Sequence, residues 1–220
     1  MVDIYWYGQA CFKVKGKSSS VIVDPFRGEF TGLREPRLDA NIVCVTHGHQ
    51  DHDNSTLVKG VSTEAVPFVI SGPGEYEIGG VNIVGLESFH DANEGQDRGK
   101  NTIYQIIVDD VSIVHLGDLG QKELNQVQAE ALSGCDVLMI PVGGVYTINS
   151  KEAPAIIAQL EPKVIIPMHF KIEGLKFDLA PVDEFLKVMG KDNMEKLPKL
   201  SVAHDKLPDE PQVVLLEKSS

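Results

Sequence analysis

The chain has 220 residues, 42% of them hydrophobic and 24% charged, with a formal net charge of −12. This length supports one sizeable core, and the composition is that of an ordinary globular protein. The acidic balance argues against broad, sequence-independent nucleic-acid binding and against anionic membrane surfaces.

The residues of 4–7, 11–14 and 20–23 read as three short strands, with Gly8 and the Lys15-Gly16-Lys17-Ser18 segment as turns. They predict an antiparallel meander. Its third strand ends in Asp24-Pro25-Phe26, a carboxylate placed where it can orient a metal-bound histidine. The polar stretch 27–40 is expected as a loop bordering a site entrance. The run Asn41-Ile42-Val43-Cys44-Val45 is a buried strand. It leads into Thr46-His47-Gly48-His49-Gln50-Asp51-His52-Asp53-Asn54, which holds three of the seven histidines. Imidazoles two residues apart can hold one metal ion, and Asp51 with His52, after a turn, can face a second position. A mixed His/Asp donor set fits a hydrolytic divalent site.

A short helix is expected over 53–59 and a strand over 67–70. A hairpin over 75–86 turns at Gly79-Gly80 and runs on to Ser88-Phe89-His90-Asp91. Residues 92–100 form a polar loop suited to a lid or rim. Strands over 101–108 and 111–115 end in His115-Leu116-Gly117-Asp118. Apolar spacing then predicts a helix over 121–132, a buried strand over 137–141 and a loop holding Tyr146. Further on come a helix over 150–160 with Ser150 as N-cap, a strand over 163–168 ending in His169, and a helix over 181–189. Late strands fall at 200–202 and 213–216, and 217–220 is expected as a frayed tail. No linker or composition shift divides the chain, so one domain over 1–220 is expected, an α/β sandwich of two sheets flanked by helices.

Histidines and carboxylates recur at the ends of different strands: His47, His49, Asp51, His52, His90, His115, Asp118 and His169. The cysteines Cys11, Cys44 and Cys135 form no Cys-x-x-Cys pair and read as buried free thiols of a reducing compartment. The N-terminal residues lack the pattern of a secretory signal, and no apolar run reaches membrane-spanning length, so the cytoplasm is the expected location.

The order strand-Asp, His-x-His-x-Asp-His, His, Asp, His resembles the metallo-β-lactamase fold superfamily of metallohydrolases. Within it the chain is most similar to the small stand-alone branch that includes ascorbate-6-phosphate lactonase-like enzymes. Trp6 to Phe12, Val23-Asp24-Pro25, the Thr46–Asn54 motif, Arg98 to Thr102, Pro141 to Gly144 and Ile166 to His169 carry the likeness. The resemblance implies a four-layer αββα sandwich holding two divalent ions, zinc before manganese or iron. His47, His49 and His90 would hold the first ion and Asp51, His52 and His169 the second. Asp118 would bridge them, and Asp51 and Asp118 would be the catalytic carboxylates. A metal-bound hydroxide would attack a small ester, lactone or phosphoester.

His115 competes with His90 for the third place. Chain order favours His90 and leaves His115, with Asp24, in a supporting role. Arg98, Asn101 and Tyr146 are candidate substrate contacts. Gln9 stands where members often have histidine. A nuclease or phosphodiesterase of the same superfamily and a non-catalytic metal-binding module are the alternatives; the charge and the short span between Asp118 and His169 disfavour the first. The expected partner is a small molecule, with neither nucleic acid nor membrane; self-association into a homo-oligomer is compatible with an acidic α/β domain.

Overall fold

A computed structural model describes residues 1–220. The chain opens with β1 (Val2–Gly8), β2 (Cys11–Lys15) and β3 (Ser20–Val23), paired antiparallel in succession. A single helical turn, α1 (Gly28–Thr31), precedes β4 (Ile42–Val45) and β5 (Phe68–Ser71), which add in parallel. Next come β6 (Gly74–Ile78), β7 (Val81–Phe89), β8 (Lys100–Val108) and β9 (Val111–His115), a run of antiparallel pairs. The remainder alternates: α2 (Gln126–Leu132), β10 (Val137–Pro141), α3 (Ala153–Leu160), β11 (Val164–Met168) and α4 (Val182–Val188). Four short strands close it: β12 (Lys196–Leu197), β13 (Leu200–Val202), β14 (Gln212–Val213) and β15 (Leu215–Leu216).

Two large sheets result, ordered β13-β1-β2-β3-β4-β5 and β14-β11-β10-β9-β8-β7-β6. Strand periodicity decides which faces meet. Val2, Ile4 and Trp6 of β1 are buried while the residues between them are half-buried. In β3 and β4 every residue is buried, because both faces are covered. Val21, Val23, Ile42 and Cys44 face the core between the sheets, with Ile83, Ile106 and Ile113 from the second sheet. Ile22, Val43 and Val45 face outward into a smaller cluster with Phe26, Leu38, Val58 and Leu179. On this side the helical layer is reduced to α1 and loops.

Helix ends depart from the sequence reading for identifiable reasons. The helix expected over 53–59 is only a 3-10 turn, Ser55–Leu57, because Asn54 N–H is drawn to Pro25 O at 2.8 Å. α2 starts late, at a capping box in which Asn125 accepts from Gln128 N and Gln128 Oε1 accepts from Asn125 N. α3 begins after Glu152 rather than after Ser150; Asn149 Oδ1 takes the Lys151 and Glu152 amides. The tail over 217–220 is not frayed: Glu217 N donates to Leu197 O at 2.8 Å and Ser219 N to Trp6 O at 2.7 Å.

Candidate metal centre

Five strands deliver the site from their C-terminal ends: β3 leads to Asp24, β4 to Thr46 and His47, β7 to His90, β9 to Asp118 and β11 to His169. In α/β sheets this edge is where ligands bind. After His49 the chain closes a turn, with the amides of His52 and Asp53 both donating to His49 O. That turn swings Asp51 and His52 away from His47 and His49, and two groups of donors form.

His47, His49 and His90 make the first group and Asp51, His52, Asp118 and His169 the second; within each group the donor atoms lie within 4.8 Å of one another. His47 Nε2 and His49 Nδ1 are 3.0 Å apart. Asp118 Oδ2 lies between the groups, 3.3 Å from His90 Nε2, 3.2 Å from His52 Nε2 and 3.4 Å from His169 Nε2. Asp51 Oδ2 is 3.5 Å from His52 Nε2 and 3.9 Å from His169 Nε2. Asp51, His52, His90, Asp118 and His169 are all buried.

Asp24 fixes the presentation of both groups. Its Oδ2 accepts from His52 Nδ1 at 2.8 Å and from the Thr46 hydroxyl at 2.7 Å, and its Oδ1 accepts from Thr46 N at 2.8 Å. With its proton committed to Asp24, Thr46 Oγ1 accepts from His47 Nδ1 at 2.9 Å. Both imidazoles therefore carry hydrogen on Nδ1 and turn Nε2 inward. Thr46 is a residue that sequence reasoning passed over; its place between the strand and the first histidine was the available signal.

Charge is distributed unevenly. Burial lowers His47, to a pKa of about 2, and the neighbouring His52 adds to the effect. Burial likewise lowers His49. Burial also opposes a charge on His52, but Asp118, Asp51 and Asp24 outweigh it and raise His52 well above the ordinary value. Burial pushes Asp118 up, yet His169 and His52 overcome it and hold its carboxyl well below the usual range. Asp51 is lowered for the same reason, by His52 and His169 against burial. Two anionic carboxylates thus converge on imidazole nitrogens. His52 Nε2 and Asp118 Oδ1 are buried and make no hydrogen bond. Unpartnered donor atoms of this chemistry, aimed at common points, fit divalent cations.

Left-handed backbone clusters here. Gln9, Asp24 and His169 have φ of 50°, 50° and 52°, conformations that non-glycine residues adopt only where the surroundings enforce them. Gly117 has φ 57°, and a Cβ there would collide with Asn101 Oδ1 and sit 2.9 Å from Thr46 Cβ, so Asp118 can approach only behind a glycine.

His115 belongs to neither group. Its Nε2 donates to Ala10 O at 2.8 Å and its Nδ1 accepts from Gly117 N at 3.1 Å, so it fastens the β1–β2 turn and the approach to Asp118. Burial lowers its pKa, in keeping with a neutral ring. Asn101 is a correction. It does not line the cavity; its Nδ2 donates to Leu116 O and Ser88 Oγ, and its Oδ1 accepts from Asp118 N at 3.1 Å. It holds the Asp118 loop instead of facing a substrate.

Above the donor atoms opens a cavity of about 360 Å³. Arg98 and Tyr146 line it, with the guanidinium carbon 4.6 Å from the ring centroid. Arg98 has no carboxylate partner within 4.0 Å. Phe30 and Phe177, unforeseen from sequence, form an apolar wall with ring centroids 5.4 Å apart. Lys176 joins the Phe177 loop to α1, which carries Phe30, through its amide to Thr31 O at 2.9 Å and its ammonium to Glu29 O at 2.6 Å. The loop over 92–98 is anchored rather than loose: Asp91 accepts from the amides of Asn93, Gly95, Asp97 and Arg98 at 2.8, 2.8, 3.1 and 2.8 Å.

Two face-to-face sheets with histidines and aspartates gathered at one edge define the metallo-β-lactamase fold. The chain belongs to the beta-lactamase superfamily: the family model described as a beta-lactamase superfamily domain matches residues 3–169. A crystal structure from Thermotoga maritima, described as a candidate Zn-dependent hydrolase of the metallo-β-lactamase superfamily, is 38% identical. It superposes with a TM-score of 0.79 over 98% of both chains. A UPF0173 metal-dependent hydrolase of Methanopyrus kandleri is 30% identical over 76% of this chain and 83% of its own. One from Thermococcus onnurineus is 29% identical over 86% of this chain and 93% of its own.

Proposed function

We infer that this chain is a metal-dependent hydrolase with two ions, cleaving a small ester, lactone or phosphoester. The observation that carries this reading is Asp118 Oδ2, one carboxylate oxygen within 3.4 Å of histidines from both donor groups. His47, His49 and His90 would hold one ion, Asp51, His52 and His169 the other, and Asp118 would serve both. Zinc, named for the Thermotoga maritima relative, suits the donors, as do manganese and iron. The bound ions would supply a nucleophilic hydroxide near neutral pH and polarise the scissile oxygen.

The chain's own residues do the rest. The ionised carboxylates of Asp51 and Asp118 accept hydrogen bonds from the attacking water and orient it. Arg98, a cation with no acidic partner, takes an anionic substrate oxygen. The Tyr146 hydroxyl donates to oxygen that gains charge. Phe30 and Phe177 exclude water from one side. The cavity volume and the net charge of −12 support a small substrate over a nucleic acid, and the three buried free thiols fit a reducing compartment such as the cytoplasm.

The test is a panel of lactones, carboxylic esters and phosphoesters offered to the Zn²⁺- and Mn²⁺-loaded protein. Turnover abolished by a chelator and in Asp118→Ala and His49→Ala is expected. Turnover that survives all three treatments refutes the reading.

A further inference from the structure

Gln9 is a buried polar side chain that the proposed function leaves unused. It sits in the turn between β1 and β2 and is fully buried, with left-handed backbone at φ 50°. Its carbonyl accepts from Trp6 Nε1 at 2.9 Å and from His169 N at 3.2 Å, which ties its position to that of His169. Its side-chain Nε2 is 3.4 Å from His169 Nε2, the nitrogen that belongs to the second donor group. Its Oε1 is buried and has no hydrogen-bond partner. Gln9 does not line the cavity, so it reaches the donor group from behind, away from any substrate.

These contacts conflict once an ion is present. One lone pair on His169 Nε2 cannot both accept from an amide and face a cation. A half-turn of the carboxamide exchanges Nε2 and Oε1 without moving another group. It puts the orphaned carbonyl oxygen beside His169 Nε2 and removes an NH₂ that a cation would repel. The spacing suits this: two donors ~2.1 Å from one ion and roughly 90–120° apart around it are about 3.0–3.6 Å from one another, and the observed 3.4 Å falls in that range.

We propose that Gln9 Oε1 is a ligand of the ion held by Asp51, His52, Asp118 and His169. The inference rests on the metal reading above. It makes the two positions chemically unlike. Beside the shared Asp118, the first group offers three imidazoles, whereas the second offers two imidazoles and two further oxygens, from Asp51 and Gln9. Oxygen donors favour harder ions, so the second position should take Mn²⁺ or Fe²⁺ relative to Zn²⁺ more readily than the first.

The experiment is a Co²⁺ titration of metal-free wild type, Gln9→Met and Gln9→Glu. Visible absorption and chelator competition are the readouts, and thermal melting of each metal-free protein is the control for folding. Wild type should take two equivalents. Gln9→Met should bind the first normally and the second at least about tenfold more weakly, with altered absorption bands. Its metal-free form should melt higher, because the unpaired carbonyl is gone. Gln9→Glu, which supplies a charged oxygen, should bind the second ion more tightly. A wild type that takes two equivalents while both variants match it in affinity and absorption overturns this inference alone. A wild type that takes no Co²⁺ overturns the metal reading, and this inference with it.

Discussion

Replacing Asp24 tests how the two donor groups are held. Its carboxylate makes three buried hydrogen bonds, to His52 Nδ1, Thr46 Oγ1 and Thr46 N, all between 2.7 and 2.8 Å. In Asp24→Asn, one oxygen can still accept from Thr46 N, but an NH₂ now meets His52 Nδ1. That drives the imidazole proton to Nε2, the atom that faces the ion. Loss of such an orienting acceptor lowers metal affinity about 10- to 100-fold. The second position should bear most of the loss. The first should lose less, since His47 is reached only through Thr46. Asp24→Ala leaves the Thr46 amide and His52 Nδ1 without acceptors in the core, at a cost of about 3–5 kcal/mol. For a chain of this size that is roughly a 10 °C fall in melting temperature. Chelator competition reads the first effect and urea unfolding of the metal-free protein the second. An Asn variant that binds both ions within twofold of wild type refutes the account of the tautomers.

Three further outcomes follow from the geometry. His52 is raised in the folded state above its ordinary 6.5, so its ion pairs stabilise the metal-free protein fully below pH 6.5. That contribution is lost as pH rises through the folded value; an incoming ion must displace the same proton, so affinity at the second position should fall as pH drops from 8 to 6, read by Zn²⁺ titration. Burial pushes the Asp91 carboxyl up, but the amides of Arg98, Asn93, Gly95 and Asp97 together hold it below the usual range. Asp91→Ala should speed amide exchange over 92–98 at least about tenfold and raise KM for anionic substrates, with melting of the core little changed. Cys11 and Cys44 have thiols raised by burial, and Cys135 is raised to about 12. None should react with a disulfide reagent until the chain unfolds, because the thiolate is the nucleophile.

The recurrence of histidines and carboxylates at strand ends was legible because those residues sit in short local patterns, while their assignment to two ions came from the family resemblance. His-x-His-x-Asp-His is a contiguous segment, and apolar β-branched runs announce the strands that end in Asp24, His90, Asp118 and His169. The meander of β1 to β3 and the hairpin turning at Gly79-Gly80 were legible for the same reason, through alternation and turn residues. What the sequence hid depends on tertiary neighbours. Asn101, at the start of a strand, reads as a candidate substrate contact, but its amide is taken up by Leu116 and Asp118 across the β8–β9 pair. Phe30 and Phe177 are far apart in sequence and become one wall where Lys176 joins the Phe177 loop to α1. Helix starts slid because Asn125 and Asn149 capture amides that periodicity cannot weigh. The ordering of the tail over 217–220 was hidden because its partners, Leu197 and Trp6, are distant in sequence.

The most direct measurement of the central claim is metal content joined to anomalous scattering from crystals of the Zn²⁺-loaded protein. Two ions per chain are expected, one among His47, His49 and His90 and the other among Asp51, His52 and His169, with Asp118 touching both. A single ion, or two ions that leave Asp118 free, would contradict that claim.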